Sequence, residues 1–248
     1  MNHVIPNQYS FERYLSAKKS VDDRALNRHV WERLQDSLPS RRPLQILEVG
    51  AGIGTMLERM LDWSLLQCAN YTAIDSMAEN MSAARRRLAQ WGAQRGLQVS
   101  QPAPDDLLLK GQEVQVSLHL LAVDVFDFIR EQAGSQHWDL LVAHAFLDLV
   151  DIPTALPQLV KLVRPGGLFY FTLNFDGATI LQPEIDPQFD ARVEGCYHHS
   201  MDERVVAGKP SGDSQSGRHL FGHLSMHGLR LLAAGASDWV VFAGAQGY

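Results

Sequence analysis

The chain has 248 residues, 46% of them apolar, a formal charge of -6 and two cysteines. That length and apolar share suit one globular domain with decorations, and the acidic balance argues against a surface built to neutralise phosphates, so nucleic acid is a disfavoured partner. No run approaches the ~18 apolar residues that span a bilayer. The start MNHVIPNQYSFERYL lacks the charged-then-apolar pattern of a signal peptide, and Cys68 and Cys196 lie far apart outside any CxxC pair, so a cytoplasmic protein with free thiols is expected.

Residues 1–19 are polar with scattered aromatics. A helix is expected from Ser20, with Asp22 and Asp23 in its first turn, Leu26, Val30, Leu34 and Leu38 at intervals of four, and Pro39 ending it. Residues 1–40 thus read as an N-terminal helical cap. Its first part either packs or forms a lid in which Phe11, Tyr14 or Lys18 touches a bound molecule.

The stretch ILEVGAGIGT, residues 46–55, reads as a buried strand followed by Gly50, Gly52 and Gly54, which let the backbone turn sharply and lie against a ligand. Met56, Leu57, Met60 and Leu61 have helical spacing, so a helix N-terminus points its free N–H groups at the same spot. YTAID, residues 71–75, is a second strand ending in Asp75. Met77, Met81, Ala84, Leu88 and Trp91 then mark a helix with Arg85, Arg86 and Arg87 on its solvated side.

Residues 92–112 lack a clear period and read as a decorated connection. A third strand is expected over 114–125, with Asp124 near its end, and WDLLVAHAF, residues 138–146, is a strand buried on both faces that reaches His144. A helix over 154–163, an RPGG turn and a fifth strand, LFYFTL, follow. Residues 174–217 break the pattern as an insertion, with a helix carrying Phe189, Val193, Tyr197, Met201 and Val205 on one face. Arg218–His227 is another helix, and LRLLAAGASDWVVFA makes two short strands or one long bent one.

Alternating strands and helices give an α/β fold, an open and mostly parallel doubly wound sheet with helices on both faces. In such sheets the ligand sits beyond the C-terminal strand ends, where the glycines, Asp75, Asp124 and His144 all fall. Asp75 lies 21 residues after Gly54, close to the ~20-residue offset at which an acid meets ribose hydroxyls. A dinucleotide fingerprint needs GxGxxG or GxGxxA, whereas here the glycines form GxGxG and position 55 is Thr. Glu48, two residues before the loop, would repel a pyrophosphate and suits a cationic ligand.

Taken together, EVGAGIG at 48–54, Asp75, the Val-Asp-Val around Asp124, WDLLVAHAF and LVRPGG resemble the ordered motifs of class I S-adenosylmethionine-dependent methyltransferases, over roughly residues 43–175. The resemblance implies a Rossmann-like, seven-stranded-type sheet over residues 41–248, with 174–217 as an acceptor-side insertion. It implies S-adenosylmethionine as cofactor and S-adenosylhomocysteine as product. Glu48, Gly50, Ala51, Gly52 and Gly54 would line the methionine end, Asp75 would take the ribose hydroxyls, Ser76 and Met77 would flank the adenine, and Asp124, Val125 and Phe126 would meet its amino edge. The family sheet usually closes with an antiparallel pair. Here residues 229–243 either make a hairpin around Gly235 or the last strand is missing.

A sulfonium methyl is already activated, so positioning dominates and a base matters only where the acceptor loses a proton. His144 is the candidate catalytic residue, with a structurally hydrogen-bonded histidine as the alternative. The insertion would supply acceptor contacts from among Asn174, Asp176, His198, His199, Arg204 and Arg218, with Tyr197 expected in the core. His219, His223 and His227 share a helix face without a partner acid, so no metal is expected. The expected partner is a small organic acceptor, without a DPPY or NPPY element for flipped bases. A nicotinamide oxidoreductase, disfavoured by Thr55 and Glu48, and a cofactor-binding regulatory protein without turnover are the alternatives. Protein acceptors, the atom methylated and monomer against homodimer stay open.

Overall fold

The computed structural model describes residues 10–40, 43–132, 134, 137–173, 179, 183–206 and 208–240. Its frame is β1 (Leu44–Val49), α3 (Thr55–Asp62), β2 (Cys68–Asp75), α4 (Ala78–Gln94), β5 (Gln115–Ala122), α5 (Val125–Glu131), β6 (Trp138–His144), α6 (Ile152–Val160) and β7 (Val163–Thr172). Before it stand α1 (Phe11–Ala25) and α2 (Arg28–Ser37); β3 (Gln98–Ser100) and β4 (Asp106–Lys110) fall between α4 and β5. After it come α7 (Pro187–Asp202), a two-residue pair β8 (Val205–Val206) and β9 (Lys209–Pro210), and α8 (Ser216–Met226).

Among the described residues the main sheet has seven strands in the order β3-β4-β5-β2-β1-β6-β7. The five from β5 to β7 are parallel. Side chains alternate across a strand, so Leu44 and Ile46 of β1 enter one core with Met56, Met60, Tyr71 and Leu88, while Leu47 and Val49 enter the other with Phe128, Leu141 and Leu156. Strand order runs outward from β1 in both directions, and the switch between β1 and β6 sets a crevice at their C-terminal ends. Glu48 and His144 stand on either side of it.

Several expectations are corrected. Helix α1 begins at Phe11, not Ser20, because Ser10 caps it through Arg13 N–H at 3.3 Å; the chain turns extended at Leu26, and Asn27 starts α2 by accepting from Val30 N–H at 3.2 Å. The connection after α4 is an antiparallel hairpin, β3 with β4, whose Leu107 and Leu109 are buried beside β5. Strand β5 stops at Ala122, and Asp124 is the N-cap of α5, accepting from Phe126 N–H at 2.8 Å and Asp127 N–H at 3.3 Å.

The sheet's seven strands therefore arise differently from the family arrangement. The antiparallel β3–β4 hairpin sits on the β5 edge, and residues 229–240 contain no strand, so among the described residues the β7 edge has no antiparallel closing pair. In α7 no residue is buried, and Phe189, Val193 and Tyr197 are exposed, which corrects the expected core placement of Tyr197.

A candidate cofactor and acceptor site

The loop after β1 turns through three left-handed glycines, Gly50 at φ +67°, Gly52 at +55° and Gly54 at +80°. L side chains rarely adopt such angles, and space is short as well. A Cβ on Gly50 would stand 2.5 Å from the Phe146 ring, and one on Gly52 would stand 3.2 Å from Leu15 of α1. Ala51 N–H donates to Ile74 O at 3.0 Å, tying the loop to β2.

Asp75 braces the same loop. Its Oδ2 accepts from Gly52 N–H at 2.9 Å, and its Oδ1 accepts from Met77 N–H at 2.9 Å and from Asn80 Nδ2 at 3.1 Å. Ser76 and Met77 are exposed beside it, Asp124 is exposed at the cap of α5, Val125 is buried and Phe126 half-buried. The cradle between β1, β2 and α5 thus joins left-handed glycines to a fixed carboxylate with one lone-pair position to spare, since about four positions exist and three are taken. That donor set fits the ribose and amino-acid portions of a nucleoside cofactor.

Glu48 is buried, and its Oε2 accepts from the Tyr71 hydroxyl at 2.7 Å. Burial pushes its carboxyl up to about 7, against the lowering effects of Tyr71 and the Arg59 charge, with Asp75 adding repulsion. Tyr71 is pushed well up by burial and by Glu48 itself. Arg59, 0% exposed, donates from Nε to Asp23 at 2.6 Å and from Nη1 to Met56 Sδ at 3.6 Å, while its buried Nη2 has no hydrogen-bond partner among the described residues. A buried arginine five residues after the last glycine gave no sequence signal, because the α3 pattern reads as apolar around it.

His144 lies at the end of β6 with both ring nitrogens engaged. Nδ1 is 2.5 Å from Thr172 Oγ1 and Nε2 is 3.2 Å from Asp22 Oδ2. An ionised carboxylate only accepts, so Nε2 carries the proton and Nδ1 is the basic nitrogen, facing the Thr172 hydroxyl. Burial holds the ring below the ordinary imidazole range, with Asp22 partly opposing it. Asp22 is lowered because His144 and Lys18 outweigh its own burial. Lys18 donates to both Asp22 oxygens at 3.0 and 3.1 Å and lies 4.9 Å from the Trp239 ring centre. A narrow cleft lined by Asp22, His144, Thr172, Leu173, Ser237 and Trp239 opens here.

Helix α1 thus touches both halves of the site, a role the sequence placed only loosely at Phe11, Tyr14 or Lys18. Two of the three arginines help to hold it, where the sequence pattern puts all three on a solvated face. Arg86 pairs with Glu12 at 3.3 Å, and Arg87 donates to Ser16 at 3.0 Å and pairs with Glu58 at 2.6 Å. Among the insertion candidates, Asn174 and Asp176 lie outside the described residues. Arg204 is structural, donating from Nε to Ser211 O at 2.8 Å and from Nη2 to Asp148 O at 3.4 Å. His198 and His199 lie near Glu194 and Glu203 on their own helix, at 3.7 and 3.0 Å. His219 faces Asp213 at 2.6 Å, and among the described residues no group of three His, Cys, Asp or Glu is placed to hold a metal.

A parallel sheet with its switch at β1 and β6, a left-handed glycine loop and a carboxylate on the next strand define an open α/β domain for a nucleoside cofactor. Residues 47–169 match the family model described as a methyltransferase domain. Those residues, just under half of the chain, are thus similar to a methyltransferase domain, and the nicotinamide alternative is not favoured. No curated protein matches the sequence. Among solved structures, the plantazolicin methyltransferase BpumL with S-adenosylhomocysteine is 18% identical, covering 61% of this chain and 49% of its own, with a TM-score of 0.39. An O-methyltransferase family protein from Burkholderia thailandensis is 14% identical over 88% of this chain and 56% of its own, with a TM-score of 0.46. The Haemonchus contortus Phospholethanolamine N-methyltransferase 2 is 13% identical over 76% and 38%, with a TM-score of 0.40. The chain spans about half the length of the first of these.

Proposed function

We propose that this protein transfers the methyl group of S-adenosylmethionine to a small organic acceptor and releases S-adenosylhomocysteine. The observation that carries this reading is the bracing of the glycine loop by Asp75 at the point where the sheet order reverses. S-adenosylmethionine, when bound, supplies a methyl group already activated by its sulfonium charge. Asp75 holds the ribose hydroxyls while keeping Gly52 in place, and Gly50, Ala51 and Gly52 line the amino-acid end with Glu48 behind them. Ser76 and Met77 flank the adenine, and Asp124, Val125 and Phe126 lie along its amino edge.

Residues 1–40 serve as a cap whose α1 excludes water from the crevice. Holding the acceptor in line contributes about 7–11 kcal/mol in well-oriented reactions. His144 accepts a proton from the acceptor at Nδ1, through or in place of the Thr172 hydroxyl, and Asp22 keeps Nε2 protonated throughout. The low position of the His144 titration keeps the ring neutral and able to accept near neutral pH. The acidic net charge disfavours a nucleic-acid acceptor. That composition and the two free cysteines suit the cytoplasm, and no described helix is long and apolar enough to cross a membrane.

Calorimetry with S-adenosylhomocysteine and with NAD tests the cofactor, and tighter binding of NAD would sink the reading. Incubation with labelled S-adenosylmethionine and a metabolite extract tests turnover. Absence of any labelled product, with the cofactor bound, would favour a regulatory protein.

A further inference from the structure

Helix α1 buries two residues, and both are charged: Lys18 and Asp22. A helix that only packed against the sheet would turn apolar side chains inward, because a buried ion pair seldom stabilises more than apolar residues of the same volume. This pair is aimed at a third group. Asp22 Oδ2 accepts from Lys18 Nζ at 3.0 Å and from His144 Nε2 at 3.2 Å, so one oxygen serves two donors. Lys18 also donates to Asp22 Oδ1 at 3.1 Å, and its ammonium stands 4.9 Å from the Trp239 ring centre. On the far side of the imidazole, Nδ1 meets Thr172 Oγ1 at 2.5 Å. Asp22, His144, Thr172 and Trp239 all line the same cleft.

The charges along this row decide the form of the ring. A carboxylate buried beside an imidazole and nothing else draws a proton onto the ring, because the two buried charges then offset each other. Imidazolium has a donor on each nitrogen and no lone pair left to take a proton. The Lys18 ammonium already offsets Asp22, so the ring can stay neutral while Nε2–H still donates to the carboxylate. Burial, Arg59 on α3 and Lys18 on α1 all lower the ring's titration, Asp22 on α1 raises it, and Thr172 on β7 brings only a hydroxyl.

Resting on the base role given to His144 above, we propose that Lys18 is a positioning residue for methyl transfer: it offsets the charge of Asp22, so that Asp22 fixes the ring proton on Nε2 and the Nδ1 lone pair stays available. Lys18 touches neither cofactor nor acceptor in this role. Lys18 and Asp22 both ride on α1, so the base takes this form only while that helix is seated.

Nitrogen NMR of the full chain labelled with nitrogen-15 histidine, without cofactor or acceptor, reads the ring directly, and His144→Gln identifies its signals. At pH 7 wild type shows a bare Nδ1 and a protonated Nε2. Imidazolium at that pH, or the reversed tautomer, overturns the proposal without any further variant. Lys18→Met leaves Asp22 unopposed, so the midpoint of the ring's titration moves up by about one pH unit or more, the usual effect of a close opposite charge. Lys18→Arg keeps the wild-type midpoint. Hydrogen exchange over residues 11–25 is followed on the same samples. A raised midpoint with α1 still protected supports the proposal, and an unchanged or lowered one overturns it. Loss of that protection in Lys18→Met shows a lysine that merely holds the helix, and this too overturns it. Undiminished labelled product from His144→Gln in the extract assay overturns the base role of His144 instead.

Discussion

Glu48→Gln gives the most direct test of how this site is built. The native fold raises the Glu48 carboxyl from its ordinary 4.5 to about 7, so between those values the folded chain holds a proton that the unfolded chain has released. Stability therefore falls as pH rises through this window and stays lower above it, the reverse of the usual carboxylate. At about 1.4 kcal/mol per unit the full effect is about 3 kcal/mol. Glutamine keeps an oxygen for the Tyr71 hydroxyl and has no proton to lose. His144 and Asp22 pull the other way: both are lowered, and their contributions are lost as pH falls below the imidazole and carboxylate ranges. They are common to both proteins and cancel in the difference. Urea unfolding of wild type and Glu48→Gln at pH 4.5, 6 and 8 should give near-equal stabilities at the first and a variant about 3 kcal/mol more stable at the last. A difference that does not change with pH, or a less stable variant at pH 8, would refute the buried, proton-holding carboxyl.

Other perturbations probe the remaining contacts. Asp75→Ala removes the brace on Gly52 together with the ribose acceptor and should weaken S-adenosylhomocysteine binding at least tenfold, ~1.4 kcal/mol by calorimetry. Unchanged affinity would take Asp75 out of the site. Asp22→Asn removes the carboxylate that favours protonated His144, so an NMR titration of the ring should move to lower pH; a move upward contradicts the pairing. Gly52→Ala forces a side chain onto φ +55° against Leu15, and both thermal stability and cofactor affinity should drop.

The strand, loop and acid of the cofactor side were legible because their signals are local. An apolar run, glycines at alternate positions and an acid at a strand end need no knowledge of the partner surface. Helix α1 was not, for its buried residues are Lys18 and Asp22, so hydrophobic period placed the helix nine residues late. Arg85, Arg86 and Arg87 read as solvated for the same reason: their partners Asp105, Glu12 and Glu58 are distant in sequence. The β3–β4 hairpin was missed because Gly, Pro and charge in 92–112 masked the short LLL run of β4. In the tail, LRLLAAGASDWVV carries strand-forming residues, yet Asn27 Nδ2 donates to Ala236 O and Trp239 lies under Lys18. Tertiary contacts with the N-terminal helices won over β-propensity there.

Helix α1 is held by contacts of unequal worth, which decides how its loosening would be seen. Glu12–Arg86 is exposed at both ends, 57% and 65%, and such pairs contribute about 0–1 kcal/mol. Asp23–Arg59 is different, since Arg59 is fully buried and Asp23→Ala would leave its guanidinium with Met56 Sδ and the Trp63 face. Stranding a buried charge costs about 3–5 kcal/mol. Few buried apolar side chains dock α1, so detaching this helix and wetting Arg59 is the cheaper response. Asp23→Ala should then raise proteolysis and hydrogen exchange within residues 11–25 while the main unfolding transition changes by much less than the full cost. Glu12→Ala should do neither. A full drop in global stability with α1 still protected would mean that the helix belongs to the core and does not act as a cap.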